Sequence, residues 1–377
     1  MQVARPFVFG TSASGENFTD RVEETAHLLT NFRHGINTIL ISPRRWGKTS
    51  LVRRAVEQAQ SSDLLVVYLD IFSCRDEEDF YRQFARAVLK QTANRLEEYF
   101  AHAKDFLARL SPSLSLGDGG GMDVTLALDF KGEQPLAEDV LNLPEKIAQR
   151  KACRIVVCID EFQQIGEFRD AMAFQKRLRS VWQLQQSTSY CLFGSRKHLM
   201  HELFEKSDLP FYKFGDTLHL ERIPAQDWVD YICLRFQKTG KSIPSALASR
   251  IAEVVDRHSS YVQQLAWLVW VQTQETATEE QFEAALQRLL EQNSPLFEKQ
   301  TEGLSSYQLN FLKAVLDGHT EGLAKRELIE AYRLGSSANV SRVKGALLGK
   351  ELIDQQSGAV FICDPLLRVW LRERLFT

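Results

Sequence analysis

The 377-residue sequence predicts an α/β fold, a parallel sheet covered by helices, followed by a helical subdomain and a small C-terminal helix–hairpin domain. Three observations carry this prediction. Short β-branched apolar runs alternate with longer helical patterns as far as residue 222. Strand signals fade from Ile223 onward. Three short helical patterns and a hairpin pattern close the chain. Buried strands separated by helices are the signature of a parallel sheet with both faces covered.

The elements follow in order. Asn37–Ser42 (NTILIS), Asp63–Asp70 (DLLVVYLD), Arg154–Asp160 (RIVVCID), Tyr190–Gly194 (YCLFG) and Thr217–Leu220 read as five strands. Phe84, Val88, Leu89, Leu96, Phe100 and Phe106 recur at helical spacing, as do Phe174, Leu178, Val181 and Leu184. Ser111–Phe130 alternates apolar and polar residues around a glycine-rich turn and reads as an inserted hairpin. Beyond residue 222, helices are expected over Asp227–Phe236, Ala246–Val255, Tyr261–Thr273 and Thr278–Gln292. The last opens with Thr278 and Gln281 at capping-box spacing. Asn293–Gly303, with its Asn-Ser-Pro start, is a candidate linker. Ser305 and Gln308 open the next helix. Ala324–Tyr332 and Ser337–Leu348 follow, then Leu352–Ile353 and Val360–Ile362 around a turn at Ser357–Gly358. Three helices and a hairpin match a winged helix-turn-helix. The expected domains are a core over 1–222 with the insertion near 111–130, a lid over 223–296 and a winged helix over 301–377.

Composition narrows the function. Lys and Arg number 46 against 49 Asp and Glu, a net charge of −3, so a nucleic-acid site would be local rather than spread over the surface. With 44% hydrophobic and 25% charged residues, the chain is neither disordered nor a membrane bundle. No apolar run approaches the ~18 residues that span a bilayer, and MQVARPFVFG lacks the apolar core of a secretion signal. The six cysteines form no C-x-x-C pair and read as buried thiols. A soluble cytoplasmic protein without membrane contact is expected.

The most specific motif is Ser42-Pro43-Arg44-Arg45-Trp46-Gly47-Lys48-Thr49, between a strand and a helix beginning near Ser50. It fits the P-loop pattern G-x-x-x-x-G-K-[ST], except that Ser42 stands at the first glycine. Amides at a helix N-terminus point at phosphates, and Gly47 lets the backbone approach them. Lys48 supplies charge to the β- and γ-phosphates, and the Thr49 hydroxyl is a Mg²⁺ ligand. Downstream, Ile155–Ile159 ends in Asp160 and Glu161. Asp160 would hold Mg²⁺ through water, and Glu161 would orient and activate the attacking water. At the end of another strand, Ser195 either sits beside the γ-phosphate or caps the next helix. His198 and His201 lack further ligands for zinc. Trp267 and Trp270 read as lid core rather than a stacking platform.

At these residues the chain resembles the archaeal-type ATPases of the signal-transducing STAND class, relatives of AAA+ proteins. SPRRWGKTSLV is similar to the family's phosphate loop, FTDRVEE (Phe18–Glu24) to its adenine-side segment, CIDEFQQI to its acidic motif, LFGSRKHLM to its sensor strand, and CDPLLRVWL to the end of its winged helix. The resemblance implies an ASCE, AAA+-like P-loop NTPase core that binds ATP through Pro43 to Ser50. It implies a sensor role for Ser195 and places Asp20 and Arg21 near the base or ribose. It also implies a switch in which ATP and ADP favour different arrangements of core, lid and winged helix. The chain departs from the family at His258-Ser259-Ser260-Tyr261, where a Gly-x-Pro often stands. Arg196 and Arg222 read as γ-phosphate stabilisers or, more plainly, as surface ion pairs.

Between Arg333 and Lys350 every charged residue is basic. Arg342, Lys344 and Lys350 would reach DNA phosphates if the winged helix binds DNA; otherwise that domain contacts protein, a second copy included. The sequence therefore reads as a slow, Mg²⁺-dependent ATPase switch. Its alternatives are an ATP-regulated DNA-binding protein or a scaffold in which nucleotide is a structural ligand.

Overall fold

The computed structural model describes residues 5–11, 15, 18–43, 45–93, 135–356 and 358–376. The expected hairpin near 111–130, the helical positions Leu96, Phe100 and Phe106, and Arg44 lie outside the described residues. The chain forms two compact units. One is Ser12–Glu221; the other joins the described residues up to Thr11 to those from Arg222 onward.

The first unit holds a five-stranded, wholly parallel sheet in the order β2-β3-β4-β1-β5. The strands are β1 (Thr38–Ile41), β2 (Leu64–Asp70), β3 (Arg154–Asp160), β4 (Thr188–Gly194) and β5 (Asp216–His219), so all five expected strands are present. The β1 and β4 strands are buried throughout, and β3 is buried except at Arg154, which explains their continuous apolar runs. Alternate side chains feed two cores. Val67, Leu69, Val157 and Ile159 pack on one face with α3 (Glu77–Thr92), α4 (Pro135–Leu141), α5 (Leu143–Lys151), α6 (Ala171–Trp182) and α7 (Lys197–Glu205). Leu40, Val66, Val156, Cys158 and Cys191 pack on the other with α1 (Val22–His34) and α2 (Lys48–Ala59). Because every strand runs the same way, the residues that follow β1, β3 and β4 all emerge at one edge, where open α/β sheets bind ligands.

The second unit contains α8 (Ala225–Gln237), α9 (Ser245–Val254), α10 (Ser259–Gln272) and α11 (Glu279–Glu302), then α12 (Ser306–Leu316), α13 (Arg326–Ala331) and α14 (Ser337–Gly349). A hairpin of β6 (Ile353–Gln356) and β7 (Ala359–Ile362) follows, and α15 (Pro365–Trp370) closes the fold. This is the expected winged helix. Both expected capping boxes form, Thr278 with Gln281 and Ser305 with Gln308. Asp364 caps α15 by accepting from the Leu366 and Leu367 amides.

Two findings differ from the sequence reading. The expected linker over 293–303 is helix, because α11 runs on to Glu302 with Pro295 inside it. Asn293 and Ser294 turn their side chains onto the carbonyls of Leu289 and Leu290, Phe297 is fully buried, and the Trp370 indole N–H donates to Ser294 Oγ at 2.9 Å. Those contacts outweigh the local turn signal. Phe7, grouped with the sheet by the sequence, lies in the core of the second unit beside Tyr231 and Phe236, and Arg235 Nε donates to the Pro6 carbonyl at 2.7 Å.

Candidate active site

The phosphate loop leaves β1 at Ile41 and enters α2 at Lys48. Gly47, the N-cap, has φ 91° and ψ 14°, a left-handed conformation, and no atom would obstruct a Cβ there. The need for glycine is thus conformational rather than one of space. Arg45 is also left-handed, at φ 61°. The Lys48 side chain is buried and folds back along the loop, donating to the carbonyls of Ser42 at 3.0 Å and Pro43 at 2.8 Å. Ser42, in place of the first glycine, is buried and donates its hydroxyl to the Pro43 carbonyl at 3.2 Å. Trp46 packs partly buried against the α2-side core, and Ser50 is buried.

One residue into α2, Thr49 Oγ1 donates to Asp160 Oδ2 at 3.1 Å. The two motifs, 111 residues apart, therefore meet. Asp160 Oδ2 also accepts from the Tyr68 hydroxyl at 2.7 Å, and Oδ1 accepts from the Glu161 amide at 2.9 Å. Burial is the main influence on the Asp160 carboxyl and raises its pKa. The charges of Glu161 and Asp70 push the same way, and hydrogen bonds from Tyr68 and Thr49 oppose them. Burial and the Asp160 charge push the Tyr68 phenol far up, so it is a donor at neutral pH. A hydroxyl and a carboxylate at this spacing are hard oxygen donors suited to Mg²⁺, which is commonly held by one or two carboxylates together with substrate phosphates. Among the described residues, no group of three or more His, Cys, Asp or Glu could hold a metal ion by itself.

Glu161 is left-handed, at φ 56°. Its Oε2 accepts from Ser195 Oγ at 2.9 Å, from the Ser195 amide at 3.2 Å and from the Gln163 carboxamide. A Cβ at position 194 would overlap Gln163 Oε1, so Gly194 makes room for that contact. Ser195 thus touches the acid pair directly.

The other expected residues fall as follows. Asp20 and Arg21 are both left-handed, at φ 54° and 67°. The buried Arg21 guanidinium donates to Glu24 and to the Glu221 carbonyl, each at 2.6 Å, tying the start of α1 to the chain beyond β5. Arg196 pairs with Glu167, and Arg222 pairs with Asp256 at 2.6 Å, matching the plainer reading of both. On α14, Arg342 is exposed and donates to Asn339, Lys344 is half-buried, and Lys350, just past the helix, is exposed. Sequence reasoning missed Tyr68 and Gln163. The odd-even alternation along β2 and β3 was a signal for Tyr68, but only the strand register turns it into a contact.

A family model described as "ATPase domain predominantly from Archaea" matches residues 18–209, half of the chain. The chain belongs to this ATPase family. The match covers the phosphate loop, the acid pair and Ser195, and such membership supports ATP binding and hydrolysis. A second model, "Probable winged helix domain", matches residues 295–373 of the archaeal-type ATPase chain. Among solved structures, it is similar to the Walker-type ATPase of Pyrococcus abyssi, with TM-score 0.70 and 17% identity over 97% of this chain and 99% of that one. It is also similar to the Aeropyrum pernix ORC2 protein in its ADPNP–ADP complexes, with TM-score 0.57 and 14% identity over 99% of both chains. The Aeropyrum pernix ORC1 protein in complex with DNA gives TM-score 0.50 and 12% identity over 96% of this chain and 94% of that one. At these identities the likeness speaks to fold. No curated protein sequence matches the chain.

Proposed function

We propose that this archaeal-type ATPase is a slow, Mg²⁺-dependent ATP-hydrolysing switch of the STAND class, acting in the cytoplasm. The observation that carries the reading is the 3.1 Å contact between Thr49 Oγ1 and Asp160 Oδ2, beside a phosphate loop that ends in left-handed Gly47 and buried Lys48. In this reading the loop from Pro43 to Ser50 cradles the phosphates at the start of α2. Lys48 exchanges its loop carbonyls for β- and γ-phosphate oxygens. Thr49 and Asp160 would hold Mg²⁺, which would neutralise charge that develops on the phosphates. Glu161 takes a proton from the attacking water, and Ser195 and Gln163 aim its carboxylate. Asp20 and Arg21 sit on the base side.

Two variants test the assignment. Lys48→Ala is expected to abolish nucleotide binding or turnover. Glu161→Gln is expected to bind ATP and hydrolyse it slowly. Equal turnover in both variants and in wild type would refute it.

A second reading concerns the winged helix. Arg342, Lys344 and Lys350 lie on or just past α14, and the ORC1 relative in fold is in complex with DNA. In this reading nucleotide state governs DNA contact by α14, and a protein partner or second copy is the competing occupant. A DNA-shift assay and a size measurement, each with and without ATP, separate them. Among the described residues no helix is long and apolar enough to cross a membrane.

A further inference from the structure

We infer that Tyr68 is a positioning residue for the metal-holding carboxylate: its hydroxyl fixes which Asp160 oxygen faces Thr49. The inference rests on the ATPase reading above. On the parallel pair β2–β3, Tyr68 is in register with Cys158, and Asp160 lies one pleat further on the same face. The phenol oxygen lies 2.7 Å from Asp160 Oδ2, the oxygen that also accepts from Thr49. Two donors on one oxygen, and the Glu161 amide on the other, leave the carboxylate a single orientation.

Tyr68 is itself held. Among the described residues β2 is an outermost strand of the sheet, and the Tyr68 amide and carbonyl are paired by the Gln91 side chain of α3. Those bonds measure 2.9 and 2.8 Å. The ring is flanked by the Arg53 guanidinium at 5.4 Å and the Phe193 ring at 6.2 Å. A hydroxyl presented from so fixed a ring does more than fill space. Outer partners of metal ligands commonly set metal affinity by 10–100-fold.

The test is calorimetric titration with ADP, first in EDTA and then at stepped Mg²⁺ concentrations. In wild type, Mg²⁺ is expected to strengthen ADP binding with a measurable half-saturation. Tyr68→Phe is expected to raise that half-saturation by about tenfold and leave ADP affinity in EDTA unchanged. An unchanged half-saturation, or an equal loss of affinity in EDTA, overturns the proposal. Should Tyr68→Phe not fold, Gln91→Ala decides: a raised Mg²⁺ half-saturation supports the proposal and an unchanged one overturns it. A wild type that binds no ADP in either condition would instead sink the underlying ATPase reading, a result plainly different from a deficit confined to the variant.

Discussion

Ser195 gives both its hydroxyl and its amide to one carboxylate oxygen of Glu161, at 2.9 and 3.2 Å. The residue after β4 therefore aims the acid that follows β3, and β3 and β4 are paired neighbours. Ser195→Ala removes the hydroxyl and keeps the amide. On the proposed role of Glu161 as general base, a positioned base contributes about 10²–10⁴-fold, so losing one of its anchors is expected to lower kcat about tenfold. Nucleotide affinity should be unchanged. Steady-state turnover beside an ADP titration checks both halves.

Gly47 offers a cleaner test of the loop. A Cβ there meets nothing, yet φ is 91°. Gly47→Ala is expected to destabilise the fold by about 1–2 kcal/mol, the cost of a left-handed L-residue, or to relax the loop and lose nucleotide binding. Denaturant unfolding with and without ADP distinguishes these. Unchanged stability together with unchanged ADP binding would count against the loop geometry.

Much of this site was legible in the sequence, and the reason is locality. The phosphate loop, the acid pair and both capping boxes are contiguous motifs, and four of the five strands announce themselves as apolar runs, whereas the edge strand β5 reads Asp-Thr-Leu-His. What escaped depends on register or on distant partners. Tyr68 meets Asp160 only because β2 pairs with β3 in one register, and the Gln91 clamp requires α3 to lie against β2. The turn signal at Asn293-Ser294-Pro295 was real, but Trp370 and the burial of Phe297 override it.

The edge of the sheet at β5 predicts a pH effect. Asp216 accepts from Asn31 at 2.8 Å and His27 at 2.6 Å; the Asn31 hydrogen bond is the main influence and lowers its pKa, burial, the next largest, opposes it, and His27 adds to the lowering. A carboxyl depressed in the folded state adds stability above its unfolded pKa of about 3.9, lost as pH falls through the folded value. Asp216→Asn should therefore be less stable than wild type at pH 6, and the gap should close below about pH 4. Thermal melts across pH 3–7 measure it. A gap that stays constant with pH contradicts the prediction.

In the second unit, the Tyr261 hydroxyl donates to Asp364 Oδ2 at 2.6 Å, joining α10 to the cap of α15. Tyr261→Phe is expected to cost about 1.5–3 kcal/mol, the usual worth of a hydrogen bond to a charged group. Urea unfolding would show no loss if the bond contributes nothing.

For the winged helix, each phosphate contact adds about one unit to the slope of log affinity against log salt. Arg342→Ala and Lys350→Ala should each reduce that slope by about one if DNA is the partner. Fluorescence anisotropy with duplex DNA between low and moderate salt reads it. Slopes identical to wild type would remove these side chains from a DNA interface.

The placement of Phe7 bears on how the molecule is made. Its phenyl ring belongs to a core whose other members, from Ile223 to Leu371, leave the ribosome only after the whole sheet has been synthesised. The sheet can close while Phe7 waits, whereas the later unit completes its interior only when Phe7 and the residues from Ile223 to Leu371 are all available. A fragment starting at Arg222 would begin life with a ring-sized hole beside Tyr231 and Phe236, and should aggregate unless a peptide spanning Arg5–Thr11 is supplied in trans.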